Sequence, residues 1–450
     1  MHFELTREYL DSLKGAIAQQ DSKLVKELSA DLHPADVAEV FDEIDVEEAK
    51  YIYVLLEKDF AADLLIELEE DVRERFLKHL SGQEIATVFI DNMESDDAAD
   101  IIGELSEDRQ EEVLSHITDV EQAGDIVDLL NYDEDTAGGL MATELIAVNE
   151  NLTVSACLNE IRTQAEEVED VFFVYVVEDN NTIKGTLPLK KLILSSEDEL
   201  VKNICDTDII SVKTDTKSED VANIMDKYDL VALPVIDGIG RLKGRITIDD
   251  VVDVIKEEAE KDYQMMSGIS SDVEASDTVF QLTRARIPWL LIGLVGGVLA
   301  ALVLGNFGDQ IGLTPEMAFF IPLITAMGGN VGIQSSSIVV QGLANNSLGL
   351  ETTTQKILKE LSIAFFNGII CSALAFMYNY LFSDSFALTI TVSAALMTVM
   401  VFSSMFGTFV PLALNRIKID PALATGPFIT TTNDVIGLFI YFWIGSMFFA

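Results

Sequence analysis

The chain has 450 residues, of which 29 are Lys or Arg and 76 are Asp or Glu, for a formal net charge of −47. Charge of this sign and size excludes nucleic acid as a partner, since it repels phosphate, and it makes the folded protein responsive to cations. From Arg284 onward there are six basic and seven acidic residues, so 23 basic and 69 acidic residues lie before that point, and a module of net −46 precedes a nearly neutral one.

Three cysteines without a CxxC pair (Cys157, Cys205, Cys371) point to a reducing compartment and no disulfide framework. All four histidines lie in the acidic part, which leaves oxygen donors as the ligands of the apolar part. Met1 to Gln20 is polar, so no cleavable signal is expected. No Walker loop and no Ser–His or Cys–His constellation appears, so an enzyme is not expected.

Residues 1–131 read as an acidic domain of helical repeats. Ala38-Glu-Val-Phe-Asp-Glu-Ile, Ala62-Asp-Leu-Leu-Ile-Glu-Leu and Ala99-Asp-Ile-Ile-Gly-Glu-Leu align residue for residue, and looser copies begin at Ala86 and Ala123. Several of the steps are 24 residues, the length of two short amphipathic helices stacked as a superhelix. After Met141 strands alternate with helices. Val171 to Leu187 is repeated by Leu230 to Ile246 after a shift of 59, each copy a strand, a turn, a strand and a helix. This duplicate resembles a tandem pair of CBS domains, assigned to 132–202 and 203–262. Such pairs are regulatory and often bind adenosine nucleotides. The second copy keeps Gly244-Arg-Ile-Thr247-Ile-Asp-Asp250, which by resemblance assigns phosphate and ribose to Thr247 and Asp250. The first copy lacks that pattern, so ATP is expected at one site at most.

A connecting helix and linker follow at 250–280. Asp250, Asp253 and Glu257 fall at i, i+3 and i+7 on one helical face, with Asp249 beside them. Like charges so spaced destabilise a helix unless a cation bridges them. A purely solvated face is the competing reading.

The region 284–450 holds five apolar stretches, with helices expected at about 287–305, 317–343, 358–382, 386–414 and 421–449. Each is long enough to cross a bilayer. Arg284, Arg286, Lys356, Lys359, Arg416 and Lys418 all fall on the side of the acidic module, whereas Asp309, Glu316 and Asp384 mark the other. The module and the N-terminus are therefore expected in the cytoplasm and the C-terminus outside. Pro322 and the run from Gly328 to Ser337 are expected to weaken the second helix, and the same theme recurs from Pro427 to Asp434. Asp434 is the only acidic or basic residue after Pro421. A charge at that depth costs about 2.5–3.5 kcal/mol on the lenient scales and marks a transport route, here expected on the second and fifth helices.

Taken together the chain resembles the MgtE family of bacterial magnesium transporters. The motifs are Tyr132-Asp-Glu-Asp-Thr-Ala-Gly-Gly-Leu-Met141, Gly328-Gly-Asn-Val-Gly-Ile-Gln334, Asp420-Pro-Ala-Leu and Asn433-Asp434-Val-Ile-Gly. The resemblance implies a homodimer in the cytoplasmic membrane with a pore on its two-fold axis. Mg²⁺ would pass two Asp434 carboxylates, with Asp420 at the inner mouth and Asn330, Thr432 and Asn433 lining the route. It also implies closure by cytosolic Mg²⁺ held by Asp63, Asp96, Asp100, Glu219, Asp229, Asp250, Asp253, Glu258 and Asp262, with Gly139 offering a carbonyl. Ile333 stands where the family commonly has Asn, and Lys217 and Lys261 where related chains can carry acids. The alternatives are a coupled divalent-cation exchanger and a nucleotide-gated channel. The expected fold is thus multidomain: a superhelical α domain, tandem α/β CBS domains, a connecting helix and a five-helix transmembrane domain.

Overall fold

Most helices of the first 131 residues solve the same problem, burying one apolar face while the other carries acid. A computed structural model describes residues 3–29, 32–165, 168, 171–270, 273, 277–308, 315–344, 353–424 and 426–449. Two compact units, Met1–Ile255 and Lys256–Ala450, make up the chain.

In the first unit the 24-residue period becomes pairs of short helices, among them Pro34–Asp42 with Val46–Tyr53 and Lys58–Ile66 with Glu70–Leu77. The acids serve at the helix starts: Asp45 and Glu48 form a capping box, as do Ser81 and Glu84, satisfying amide groups a helix start leaves open. Phe41, Ile52, Leu65, Phe76, Phe89 and Ile102 are buried between the pairs, each contributing about 1.5–3 kcal/mol by leaving water.

The duplicate forms two three-stranded sheets of the same design. β1 (Ala147–Asn149) is parallel to β2 (Val174–Val177), which is antiparallel to β3 (Ile183–Leu187). β4 (Val212–Lys213), β5 (Ala232–Ile236) and β6 (Leu242–Thr247) repeat that order. Even the register shift recurs, at Val176/Val177 and at Val235/Ile236, the same 59-residue offset as in the sequence. The two hairpins meet reciprocally: Ile183 N donates to Gly240 O at 3.1 Å and Leu242 N donates to Asn181 O at 3.0 Å. The pair is therefore a local pseudo-two-fold dimer within one chain.

The segment assigned to the first copy at its start, 132–142, packs on the second copy. Ala137 N donates to Thr216 O at 2.7 Å, Gly138 N to Thr214 O at 3.0 Å, and Ala142 pairs with Arg245. Ala137 and Met141 join the helical domain and the second copy into one apolar core, whereas the first copy has its own around Val148, Cys157, Val174 and Leu187. The sequence division missed this because Ala137 and Met141 carry no periodicity.

In the second unit five helices are long and apolar enough to cross a membrane: span one (Val279–Asn306), span two (Pro315–Ala344), span three (Thr354–Phe382), span four (Phe386–Arg416) and span five (Gly426–Phe448). Span one starts eight residues before the expected 287, because Thr278 and Gln281 cap it upstream of the apolar tract. Asp309 and linker residues 271, 272 and 274–276 lie outside the described residues.

The expectation of a weakened second helix is corrected. Ile321–Ala344 is continuous α-helix through the entire glycine and serine run. The small residues act instead in packing, where a missing side chain lets backbones approach. A Cβ on Gly328 would lie 3.0 Å from Val399 on span four, one on Gly332 would lie 2.7 Å from Ile429 on span five, and one on Gly407 would strike the backbone oxygen of Gly332. Because backbone at that crossing has no room to give, Gly407→Ala is expected to destabilise the protein by about 1–3 kcal/mol. Thermal unfolding in detergent checks this; an unchanged melting temperature would show the crossing to be loose.

Candidate cation sites

The first site lies where two acidic helix starts converge in the Met1–Ile255 unit. Asp96 and Asp97 occupy the first turn of the helix Ser95–Gly103, and Asp249 and Asp250 the first turn of the connecting helix, Ile248–Met266. Positive helix ends favour carboxylates there, yet the acids crowd one another. Burial, then Asp97, Asp250 and Glu94, push Asp96 well above the usual range. Burial and then Asp250 and Asp100 push Asp97 up to about 7. Burial raises Asp250 to about 6 against two opposing hydrogen bonds from Thr247. Asp100 opens to solvent at the rim, and its carboxyl too is raised, by the packed protein around it and then by Glu134.

One cation is already built in. Arg245 is buried, and its Nη2 donates to both carboxylate oxygens of Glu94, at 2.6 and 2.8 Å. Among the described residues no three His, Cys, Asp or Glu side chains close into a ready ligand cage. The donor set nevertheless suits Mg²⁺, which keeps its waters and binds through one or two carboxylates.

The structure thus brings together Asp96, Asp100 and Asp250 of the sequence-derived set, and adds Asp97, Glu94 and Glu134. Glu134 sits inside the Tyr132–Met141 motif, which could have identified it; Asp97 had only its neighbour Asp96 as a signal. Gly139 lies on the same turn: its N–H donates to Thr136 O at 2.9 Å, and a Cβ would lie 2.8 Å from Asp133 O. Other members of the set stand elsewhere. Asp63 is exposed, with Asp59 and His33 as its charged neighbours. Glu219 is exposed in the first turn of the helix Ser218–Tyr228, and Asp229 closes that helix in the left-handed conformation at φ 52°. Asp253 is exposed one turn beyond Asp250.

Thr247 and Asp250, the nucleotide candidates, face each other. Thr247 N and Oγ1 donate to Asp250 Oδ2 at 2.9 and 2.8 Å. A cavity in the strand-helix pair, lined by Phe172, Phe173, Tyr175 and Arg245, holds about 10 Å³, against roughly 300 Å³ or more for small-molecule sites. That cavity is too small for a nucleotide.

The Lys256–Ala450 unit has its own acidic group. Burial, then Asp420 and Glu258, raises Asp262 to about 6, while Lys261 opposes them. Lys261 Nζ lies 3.0 Å from Glu258 Oε1, so at this position the chain supplies a cation of its own. Asp420 is exposed, and its Oδ1 accepts from Ala422 N at 2.8 Å, shaping the turn before span five.

Asp434 is the ninth residue of the helix Gly426–Phe448, about 12 Å from its start at the helical rise per residue. It is half-buried in a single chain, as are Thr432 and Ile333, and Asn330 is exposed. Asn433 differs from the expectation of a lining residue. It is 0% exposed, and its Nδ2 donates to Gly328 O on span two at 3.3 Å. It thereby joins spans two and five beside Asp434 in the chain.

Three family models match the chain: the divalent cation transporter model over 321–444, the MgtE intracellular N domain over 32–135 and the CBS domain over 201–257. The last covers the second copy, the one that keeps the Gly-x-x-Thr-x-x-Asp pattern. The magnesium transporter MgtE of Bacillus subtilis is 30% identical over 419 residues, covering 93% of this chain and 92% of the relative. That of Thermus thermophilus is 31% identical over 444 residues, 97% of each chain. The crystal structure of the cytosolic domain of the Mg²⁺ channel MgtE in complex with ATP is 32% identical, with a TM-score of 0.51. It covers 54% of this chain and 99% of that one.

The raised carboxyls set a pH dependence. Their folded pKa values, about 7 for Asp97 and about 6 for Asp250 and Asp262, exceed the unfolded value of about 3.9. The folded state thus holds more protons between about pH 4 and pH 7, and stability falls as pH rises through that window. Without divalent cations the melting temperature of the full chain is expected to drop from pH 5 to pH 7.5, and Mg²⁺ to restore it at the higher pH. A flat profile without Mg²⁺ would show that these acids do not repel one another in the folded protein.

Proposed function

We propose that this chain, which belongs to the MgtE family of divalent cation transporters, is a homodimeric, channel-like Mg²⁺ importer that cytosolic Mg²⁺ closes. Asp434 carries the reading. Its neighbour Asn433 is sealed inside the bundle, while Asp434 is left half-open on a helix that crosses the membrane. A carboxylate left there against lipid is unfavourable. A second copy across the same face removes that contact and sets two carboxylates opposite each other. Such a pair repels unless a divalent cation lies between them. A hydrated Mg²⁺, slow to shed water, meets that demand through outer contacts, and hydroxyl and amide oxygens of Thr432 and Asn330 extend the route.

The location is the bacterial cytoplasmic membrane, with the acidic module inside. The six basic residues at the span ends favour that orientation. Inside the cell, Mg²⁺ binding to Asp96, Asp97, Asp100, Asp250 and their neighbours releases protons and compacts the acidic module. Its loss lets the same charges repel. The pore therefore opens when cytosolic Mg²⁺ is scarce and closes as it accumulates. Coupled exchange is the weaker reading, because one carboxylate at Asp434 gives no second site for a driving ion on span five. Nucleotide control is weaker still at Thr247 and Asp250, whose polar atoms satisfy each other.

Two measurements test this function. Asp434→Ala should reduce Mg²⁺ flux into vesicles by about a hundredfold or more while leaving the dimer intact on size exclusion, the scale set by a site worth about 3 kcal/mol; normal flux would remove Asp434 from the route. Replacing Asp250 and Asp253 by Asn and Glu258 by Gln together should leave flux at low Mg²⁺ unchanged but abolish closure at high Mg²⁺. Closure at the parental Mg²⁺ concentration would make these acids a solvated face.

A further inference from the structure

A second carboxylate enters the membrane bundle, and none of the transport motifs contains it. Glu360 is the eighth residue of the helix Thr353–Phe382, beyond the basic Lys356 and Lys359. Its Oε1 accepts from Ser335 Oγ on span two at 2.8 Å and from Ser404 Oγ on span four at 3.3 Å. The two hydroxyls lie 2.9 Å apart and are 3% and 1% exposed. One oxygen from span three therefore holds two hydroxyls from two other spans.

The position of this contact matters. Ser335 is one turn from Gly332, and Ser404 is one turn from Gly407, the pair of glycines at which spans two and four cross most closely. The glycines fix the distance between these helices but carry no side chain to fix their rotation. The Glu360 contact supplies that rotation. Asn330 precedes Ser335 by five residues, which at 3.6 residues per turn places it roughly 140° away around span two. With Ser335 turned inward to Glu360, Asn330 is turned outward, and it is exposed in the single chain.

We infer that Glu360 is a positioning residue for span two, holding through Ser335 and Ser404 the rotation that presents Asn330 to the ion route. This rests on spans two and five lining that route. Glu360 does not touch the ion; what it contributes is a hydrogen-bond acceptor, and its removal would leave the two buried hydroxyls only each other, with no tie to span three.

That distinction fixes the experiment. The full-length protein, with its three cysteines replaced by serine and Asn330→Cys added, is reconstituted in vesicles alone and together with Glu360→Ala, Glu360→Gln or the Ser335→Ala and Ser404→Ala pair. Mg²⁺ flux and the rate of thiol modification at position 330 are measured on each. Glu360→Gln retains an acceptor oxygen and should keep both within about twofold of the parent. Glu360→Ala and the double serine variant should each change the modification rate and lower flux by about tenfold, the scale of a hydrogen bond to a charged group. If Glu360→Gln loses flux as fully as Glu360→Ala, the charge itself is required and the positioning role is overturned. If modification is unchanged in Glu360→Ala and in the serine pair, span two has not turned and the role is likewise overturned. A modification rate that responds to Glu360→Ala but is not slowed by Mg²⁺ in the parent supports the clamp and instead removes Asn330 from the route. Glu360→Gln and the serine pair keep the test decisive where Glu360→Ala does not fold.

Discussion

Repulsion between carboxylates that have too few cations is the constraint on which this protein depends. In the acidic module it is concentrated at helix starts, where Asp96, Asp97, Asp249 and Asp250 gain from the helix ends but repel one another. Two remedies are visible within the chain. Arg245 neutralises Glu94, a single Nη2 reaching both carboxylate oxygens, and the raised carboxyls of Asp97 and Asp250 hold protons more readily than free carboxyls do. Neither remedy covers all the charge. The remainder is charge that a bound divalent cation would offset.

The transmembrane unit handles several of its polar groups in the opposite way, by fixing them with a neighbour. Asn433 is tied to the Gly328 carbonyl, Tyr441 Oη donates to Met317 O at 2.9 Å, and Ser335 and Ser404 meet Glu360. In an apolar surround such bonds are favoured because water offers no alternative. The close glycine contacts among spans two, four and five depend on them, since small residues pack tightly but do not choose an angle. Glycines give proximity and polar contacts give orientation. Asp434 differs from these amide and hydroxyl groups in being an acid left half-open on a helix long enough to cross a membrane.

Much of this architecture was legible in the sequence because it is periodic. The 24-residue repeat, the 59-residue duplicate and the five apolar stretches each recur in the structure, the duplicate down to its register shift. What was not legible depends on contacts across the chain. The glycine run of span two looked like a helix breaker because its partners, Val399, Gly407 and Ile429, lie 70 to 100 residues away and turn its gaps into close packing. Asn433 read as a lining residue for the same reason: its spacing beside Asp434 is visible in sequence, its partner Gly328 is not. Glu360 is the sharpest case, an acid near two lysines at a span end that reads as interfacial until Ser335 and Ser404 are placed beside it.

Lys261 shows how local chemistry can tune a regulatory site without altering the fold. An ammonium 3.0 Å from Glu258, near an Asp262 that already repels Asp420, supplies one positive charge within an acidic group. Both partners are partly solvated, so the pair contributes only about 0.2–1 kcal/mol. That is still a few-fold in cation affinity, because a divalent ion entering the group must displace or share the ammonium. A chain with an acid at that position would attract a cation more strongly, whereas here the ammonium already offsets part of the negative charge. If cytosolic Mg²⁺ closes the pore as proposed, the charge at position 261 would shift the concentration at which it does so, while the carboxylates around it would supply the attraction.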